Sequence, residues 1–222
     1  MSQKKLIIAL DFANLDEVKK IIEHINPEQS MVKVGLQLYV SEGKRVLDYL
    51  TEKGFEIFLD LKLHDIPNTV DRTVKEISNF NVTMTTIHLQ GGRDMIEAAL
   101  ESSSKTKIIG VSVLTSLNDK DMNEMHGSSF NDQFGRLMKL AESTKIDGIV
   151  CSPQEVKLVK KFFSKEIITP GIRISSKVND QKRVMTPKAA FKQGSDWLVI
   201  GRDLTKGNIK KNFNKLSNHL NQ

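Results

Sequence analysis

Cysteine is almost missing from this 222-residue chain, where Cys151 stands alone. No disulfide can form within the chain, which excludes bridge-stapled secreted scaffolds and points to a reducing compartment, read here as the cytoplasm. Long apolar runs are missing too. None approaches the roughly 20 residues of a membrane span, so no membrane partner is expected. The apolar run at 6–10 is stopped by Asp11 and is too short for a signal-peptide core with its cleavage site. Aromatics are scarce at 6%, and no basic segment is interleaved with them. Low-complexity stretches and linkers are absent, so residues 1–222 read as one domain. His24, His88, His126, His219 and Cys151 show no metal-ligand spacing, and no metal is expected.

What is present is ordinary for a soluble globular protein: 39% hydrophobic and 27% charged residues, a balance that excludes disorder. The net charge of +6 raises the question of nucleic acid. The lysines are scattered, with one modest cluster at Lys206, Lys210, Lys211 and Lys215. A solvated surface accounts for them, and no nucleic-acid partner is expected.

Short Ile/Val-rich runs recur along the chain, at 6–11, 31–34, 56–62, 82–88, 107–113, 147–151, 166–169 and 197–200. Between them lie segments with helical apolar spacing, such as Val18, Ile21, Ile22 and Ile25, or Val156, Leu158, Val159 and Phe162. Strand–helix alternation implies right-handed parallel crossovers. Eight such units favour a closed (β/α)8 barrel of the α/β class. Short strands are easily miscounted, so the pattern alone leaves an open doubly wound sheet as the alternative. Two stretches, 115–130 and 170–186, read as long polar loops after the fifth and seventh strands. In a barrel, such loops build the active site and often serve as lids. The segment 209–220 reads as an amphipathic last helix.

The third run is the most informative. Side chains on a strand alternate with period two, so Ile57, Leu59 and Leu61 face the helices while Phe58, Asp60 and Lys62 face the barrel axis. Asp65 follows where the strand opens into its loop, and Pro67 suits the first turn of the next helix. The same alternation turns Asp11 inward on the first strand and Lys33 inward on the second. Any one of these charges could belong to a structural ion pair. Five in one barrel mouth do not fit a stabilising plug, because buried charges are costly and apolar layers would serve better. Gly201-Arg202, just after the eighth strand, falls at a usual phosphate position in barrels.

The decamer Asp60-Leu61-Lys62-Leu63-His64-Asp65-Ile66-Pro67-Asn68-Thr69 closely resembles the signature of the orotidine 5′-phosphate decarboxylase family. The likeness continues through Leu-Asp-Phe at 10–12, Val-Lys-Val-Gly at 32–35, Val-Leu-Thr-Ser at 113–116, Thr-Pro-Gly-Ile-Arg at 169–173, Asp-Gln-Lys-Arg at 180–183 and Val-Ile-Gly-Arg at 199–202. These blocks fall in family order over nearly the whole chain. One departure is visible: Leu89 follows His88 where the family more often has a small residue. The resemblance implies a TIM barrel that converts orotidine 5′-monophosphate to uridine 5′-monophosphate and carbon dioxide without metal or cofactor. It implies that Lys62 donates the proton to C6 of the pyrimidine, flanked by Asp60 and by Asp65, which reaches into the site of a second subunit of a homodimer. It further implies that Asp11 and Lys33 hold the ribose, joined by Thr69 from the partner chain. Thr115 would contact the base, and Gln181, Gly201 and Arg202 the phosphate, supported by Arg173. His64 is given a helper or structural role.

The residue types suit that chemistry. Loss of carbon dioxide leaves a carbanion, and a fixed ammonium beside it stabilises the charge and then supplies the proton. Neighbouring carboxylates keep the lysine charged against burial. Two other readings share parts of the pattern. Magnesium-dependent sugar-phosphate decarboxylases of the same superfamily share the Asp-x-Lys-x-x-Asp spacing, but Ile66-Pro67-Asn68-Thr69 favours the nucleotide enzyme. A silent nucleotide-binding barrel would be expected to have lost Lys62 or one of the aspartates.

Overall fold

The computed structural model describes residues 5–114, 116–174 and 184–221. Eight parallel strands close on themselves in chain order. They are β1 Lys5–Leu10, β2 Met31–Gly35, β3 Ile57–Leu63, β4 Met84–His88, β5 Lys107–Val111, β6 Gly148–Val150, β7 Glu166–Thr169 and β8 Trp197–Ile200. The barrel closes where Lys5–Ile8 of β1 runs alongside Trp197–Ile200 of β8. This (β/α)8 architecture settles the choice against an open sheet.

Alternation sorts the side chains. Ile7, Ala9, Met31, Phe58, Met84, Ile109, Ile168 and Val199 fill the barrel interior. Their outward neighbours, among them Ile8, Leu10, Val32, Val34, Ile57 and Leu59, are buried against the surrounding helices. At the amino-terminal rim, Glu166 bridges Lys5 at 3.1 Å and Lys107 at 3.0 Å. Partial burial alone would raise its pKa. The hydrogen bonds and charges of the two lysines outweigh burial and hold it below the usual value.

Local signals set the helices as expected in most places. Asn14 caps the helix Leu15–Ile22 by accepting from the Glu17 N–H, and that helix buries Leu15, Val18, Ile21 and Ile22. Pro67 stands at the start of the helix Pro67–Ser78. The last helix, Ile209–Asn221, agrees with the amphipathic reading. No helix among the described residues is long and apolar enough to cross a membrane.

Two expectations need correction. The stretch 115–130 is not all loop, because it contains the helix Asp119–His126. Only Met122 of that helix is buried, so no apolar stripe announced it. Its start is fixed instead by a capping box between Asn118 and Asp121, and its end by Gly127 in the left-handed conformation. The second correction is that Phe162 is exposed while Phe163 is buried. The helix there spans only Val156–Val159, and the chain turns before the helical spacing can continue.

Candidate active site

The carboxyl ends of β1, β2 and β3 bring four charges into one row. Lys33 Nζ lies 3.0 Å from Asp11 Oδ1 and 3.7 Å from Asp60 Oδ2. Lys62 Nζ lies 2.8 Å from Asp60 Oδ1. The order Asp11–Lys33–Asp60–Lys62 alternates in sign. The Lys33 and Asp60 side chains are only 12% and 14% exposed, so each charge relies on its neighbours for stabilisation. Burial alone would raise the pKa of Asp60. The ammonium charges of Lys33 and Lys62, with hydrogen bonds from Lys62 and Thr86, overcome burial and hold it below the ordinary carboxylate value. Asp60 is therefore an anion at neutral pH, fixed beside two cations.

Lys62 carries an unusual backbone. Its φ is +54°, in the left-handed region that a side chain with Cβ enters at a cost of about 1–2 kcal/mol. Strict period-two alternation does not hold through this point. Between Leu59 and Leu63, β3 advances four residues against two on β4, which is a bulge. Bulges re-aim side chains, and strain of this kind persists where the surrounding structure over-determines it.

Close to Asp11 and Lys33 lies a cavity of about 180 Å³, also lined by Arg173, Gly201 and Arg202. Arg173 is 5% exposed. Its Nε stands 3.9 Å from Asp203 Oδ1, and among the described residues neither Nε nor Nη2 has a hydrogen-bond partner. A buried guanidinium with open N–H groups beside a cavity is suited to an anion with several acceptor oxygens. The mouth thus has two ends: one lined by Arg173 and Arg202, the other occupied by the Asp60–Lys62 pair. Among the described residues no group of three or more His, Cys, Asp or Glu is arranged to hold a metal ion.

Residues 4–212 match the family described as orotidine 5′-phosphate decarboxylase / HUMPS. The chain belongs to this family. The orotidine 5′-phosphate decarboxylase of Laribacter hongkongensis is 43% identical over 208 residues, covering 90% of this chain and 86% of that protein. Its counterpart from Streptococcus suis is 42% identical over 213 residues, covering 93% and 92%. Among solved structures, the orotidine 5′-phosphate decarboxylase of Lactobacillus acidophilus superposes with a TM-score of 0.86 at 34% identity, covering 99% of this chain and all of that one. An uncharacterised conserved protein from Geobacillus kaustophilus gives 0.82 at 31% identity, covering 96% and 99%.

Not every expected residue joins the row in this member of the orotidine 5′-phosphate decarboxylase / HUMPS family. Asp65 is exposed, and its Oδ1 accepts from the Ile66 N–H at 2.7 Å; it makes no ion pair among the described residues. Thr69 is also exposed, in the first turn of the helix Pro67–Ser78. Thr115 and Gln181 lie outside the described residues. His64 is exposed, with its ring centroid 5.4 Å from that of His88.

Three residues of the mouth escaped the sequence reading. Thr86 and His88 alternate with the interior residue Met84 on β4, and Thr86 bonds directly to Asp60. Burial, followed by the nearby His64 and Lys62, lowers the pKa of His88 and favours its neutral ring. Their signal was the inward register of β4, masked because threonine also reads as an ordinary strand former. Gly35 is the third. A Cβ there would stand 2.9 Å from Lys33 Nζ and 3.6 Å from Asp11 Oδ1. The missing side chain leaves room for the Lys33 ammonium between its two carboxylates.

Proposed function

We propose that this chain decarboxylates orotidine 5′-monophosphate to uridine 5′-monophosphate in pyrimidine nucleotide synthesis, with Lys62 delivering the proton to C6. The observation that carries the reading is the alternating row Asp11–Lys33–Asp60–Lys62, with a half-buried ammonium at its inner end and an anion-suited cavity near its outer end. The names of the relatives, at about 40% identity over nine-tenths of the chain, support the same reaction.

The chemistry needs nothing beyond these side chains. The bond from C6 to the carboxyl carbon breaks, and its electron pair stays on C6 as carbon dioxide leaves. The Lys62 ammonium stabilises that charge and then transfers a proton from Nζ to C6; the neutral amine regains a proton from water. Asp60 holds Lys62 in place and, beside the substrate carboxylate, disfavours the ground state. Asp11 and Lys33 suit the ribose hydroxyls. Arg173, Gly201 and Arg202 suit the phosphate, and we assign Gln181 to the same end and Thr115 to the base. No metal or cofactor enters the reaction. We read residues 1–222 as one barrel domain of a cytoplasmic homodimer, in which Asp65 and Thr69 complete the partner's site. The exposure of Ile66 at 65%, Leu36 at 54% and Val40 at 81%, all just after β2 and β3, supports a second copy covering this rim.

The direct test is to add orotidine 5′-monophosphate and follow loss of its ultraviolet absorbance after exhaustive chelation of metals. Full activity is expected. A magnesium requirement, or turnover only of a sugar phosphate, would move the chain to the sugar-phosphate relatives.

Two binding predictions follow from the mouth. Arg202→Ala should weaken uridine 5′-monophosphate by tenfold or more, the value of about one charge-assisted hydrogen bond, while affinity for uridine changes little. Equal losses for both ligands would remove Arg202 from the phosphate end. Gly35→Ala should melt within about 2 °C of the parent, because the clash falls on the tip of a flexible lysine and Gly35 has φ −95°, open to alanine. Yet it should lose roughly tenfold in nucleotide affinity as Lys33 is displaced. Unchanged affinity would mean that Lys33 does not touch the ligand.

A further inference from the structure

Thr86 bears no charge and plays no part in the reaction above, yet it is fully buried at the centre of the catalytic row. Its hydroxyl accepts from the Lys62 backbone N–H at 2.8 Å and bonds Asp60 Oδ1 at 3.0 Å. The directions of both bonds are forced. An amide N–H can only donate and an ionised carboxylate can only accept, so the one hydroxyl proton points at Asp60. The same Oδ1 also receives the Lys62 ammonium at 2.8 Å. A closed ring results: Lys62 backbone, Thr86 hydroxyl, Asp60 carboxylate, Lys62 side chain. Oδ2 is left to face Lys33.

The ring sits on the bulge. Where β3 gains residues over β4, the Lys62 N–H has left the regular ladder, and this partly buried amide needs another acceptor. The Thr86 hydroxyl is that acceptor. The adjacent Thr85 is equally buried, but its hydroxyl donates to the Leu59 carbonyl at 3.0 Å and, among the described residues, touches no charged group.

We propose that Thr86 is a positioning residue, whose hydroxyl clamps the left-handed Lys62 backbone to the Asp60 carboxylate and so sets the direction from which the Lys62 ammonium meets the substrate. The catalytic consequence rests on the decarboxylation reading; the clamp itself does not.

Thr86→Val keeps the shape and removes both bonds, whereas Thr86→Ser keeps the hydroxyl. In the valine variant kcat should fall about a hundredfold, the scale set by a misplacement of about 1 Å at the reacting group. Its affinity for uridine 5′-monophosphate should stay within about threefold, because ribose and phosphate are held elsewhere. The serine variant should keep kcat within about fivefold of the parent, since both bonds survive. Crystal structures of the two full-length variants give a readout independent of turnover. Lys62 should leave the positive-φ region, or the Asp60 carboxylate should rotate, in the valine variant and in that one alone. Near-parental kcat in Thr86→Val, equal damage in both variants, or an unmoved Lys62 and Asp60 would each overturn the clamp. Should Thr86→Val not fold, Thr86→Cys takes its place as a weak donor and acceptor; an intermediate loss is expected, and parental kcat overturns the proposal. If the parent chain decarboxylates nothing, the functional reading fails, while the crystallographic comparison still decides on the clamp.

Discussion

Lys62→Ala should yield a folded protein with almost no turnover. A general acid in the right place contributes roughly 10²–10⁴-fold. A fixed charge aimed at the developing carbanion adds a further contribution of similar scale, of order 10²–10³. In the proposed reaction Lys62 supplies both, so kcat should drop by upwards of about 10⁴-fold. The loss should fall on kcat and not on binding, because the ammonium matters most once charge develops on C6. Affinity for uridine 5′-monophosphate should therefore stay within about tenfold of the parent. The fold should tolerate the change. Asp60 keeps Lys33 at 3.7 Å and the Thr86 hydroxyl at 3.0 Å, so no buried charge is abandoned. The positive φ of Lys62 gives a second handle. Lys62→Gly should be more stable than Lys62→Ala by about 1 kcal/mol, because glycine enters that conformation without steric penalty. Lys62→Arg separates the two roles: it keeps the charge but holds its proton too tightly to give it up, so it should remain far below the parent. A residual kcat above about a hundredth of the parent in Lys62→Ala, a loss under ~3 kcal/mol, would exclude Lys62 as the proton donor.

The sequence was legible wherever one physical rule governed. Period-two alternation put Asp11, Lys33 and Asp60 on the inner face, and the barrel interior bears this out through Ile7, Ala9, Met31 and Phe58. Strand ends came within a few residues because most of the Ile/Val runs are bounded by a polar residue or glycine; the run 107–113 overshot, since the strand stops at Val111, before Ser112. The rule lapsed where local geometry departed from regularity. At Lys62 a bulge, which no residue type advertises, re-aims the chain and recruits Thr86. The helix Asp119–His126 hid among polar residues because capping, not an apolar stripe, defines it. Gly35 is legible only once the path of Lys33 is known, since what matters is a side chain that is not there. Thr86 and Gly35 are neutral residues that serve charged neighbours, so no charge pattern in the sequence marks either.

Mixing two nearly dead variants should restore activity, because the sites of the proposed dimer are shared. Asp65 sits just past the strand that carries Lys62, but it is exposed and spends one oxygen on its own loop, at Ile66 N–H. Ile66 beside it leaves 65% of its surface uncovered. In a two-fold dimer built on this rim, each site takes Lys62 from one chain and Asp65 from the other. Let Lys62→Ala and Asp65→Asn exchange subunits. A mixed dimer then has one site with both lesions. Its other site takes Lys62 from the Asp65→Asn chain and Asp65 from the Lys62→Ala chain, and is intact. With random exchange about half the dimers are mixed, so roughly a quarter of all sites should regain parental activity, a fraction set by the symmetry alone. Both starting variants should be at least about a hundredfold down, since in the proposed shared site each would lack a group beside the reacting carbon, so the recovery stands far above background. The rise should follow the rate of subunit exchange and stop if the chains are cross-linked before mixing. If Asp65 served its own chain, both sites of every mixed dimer would carry a lesion. Activity would then stay at the sum of the two variants, and Asp65 would have to reach Lys62 by a rearrangement of its own loop.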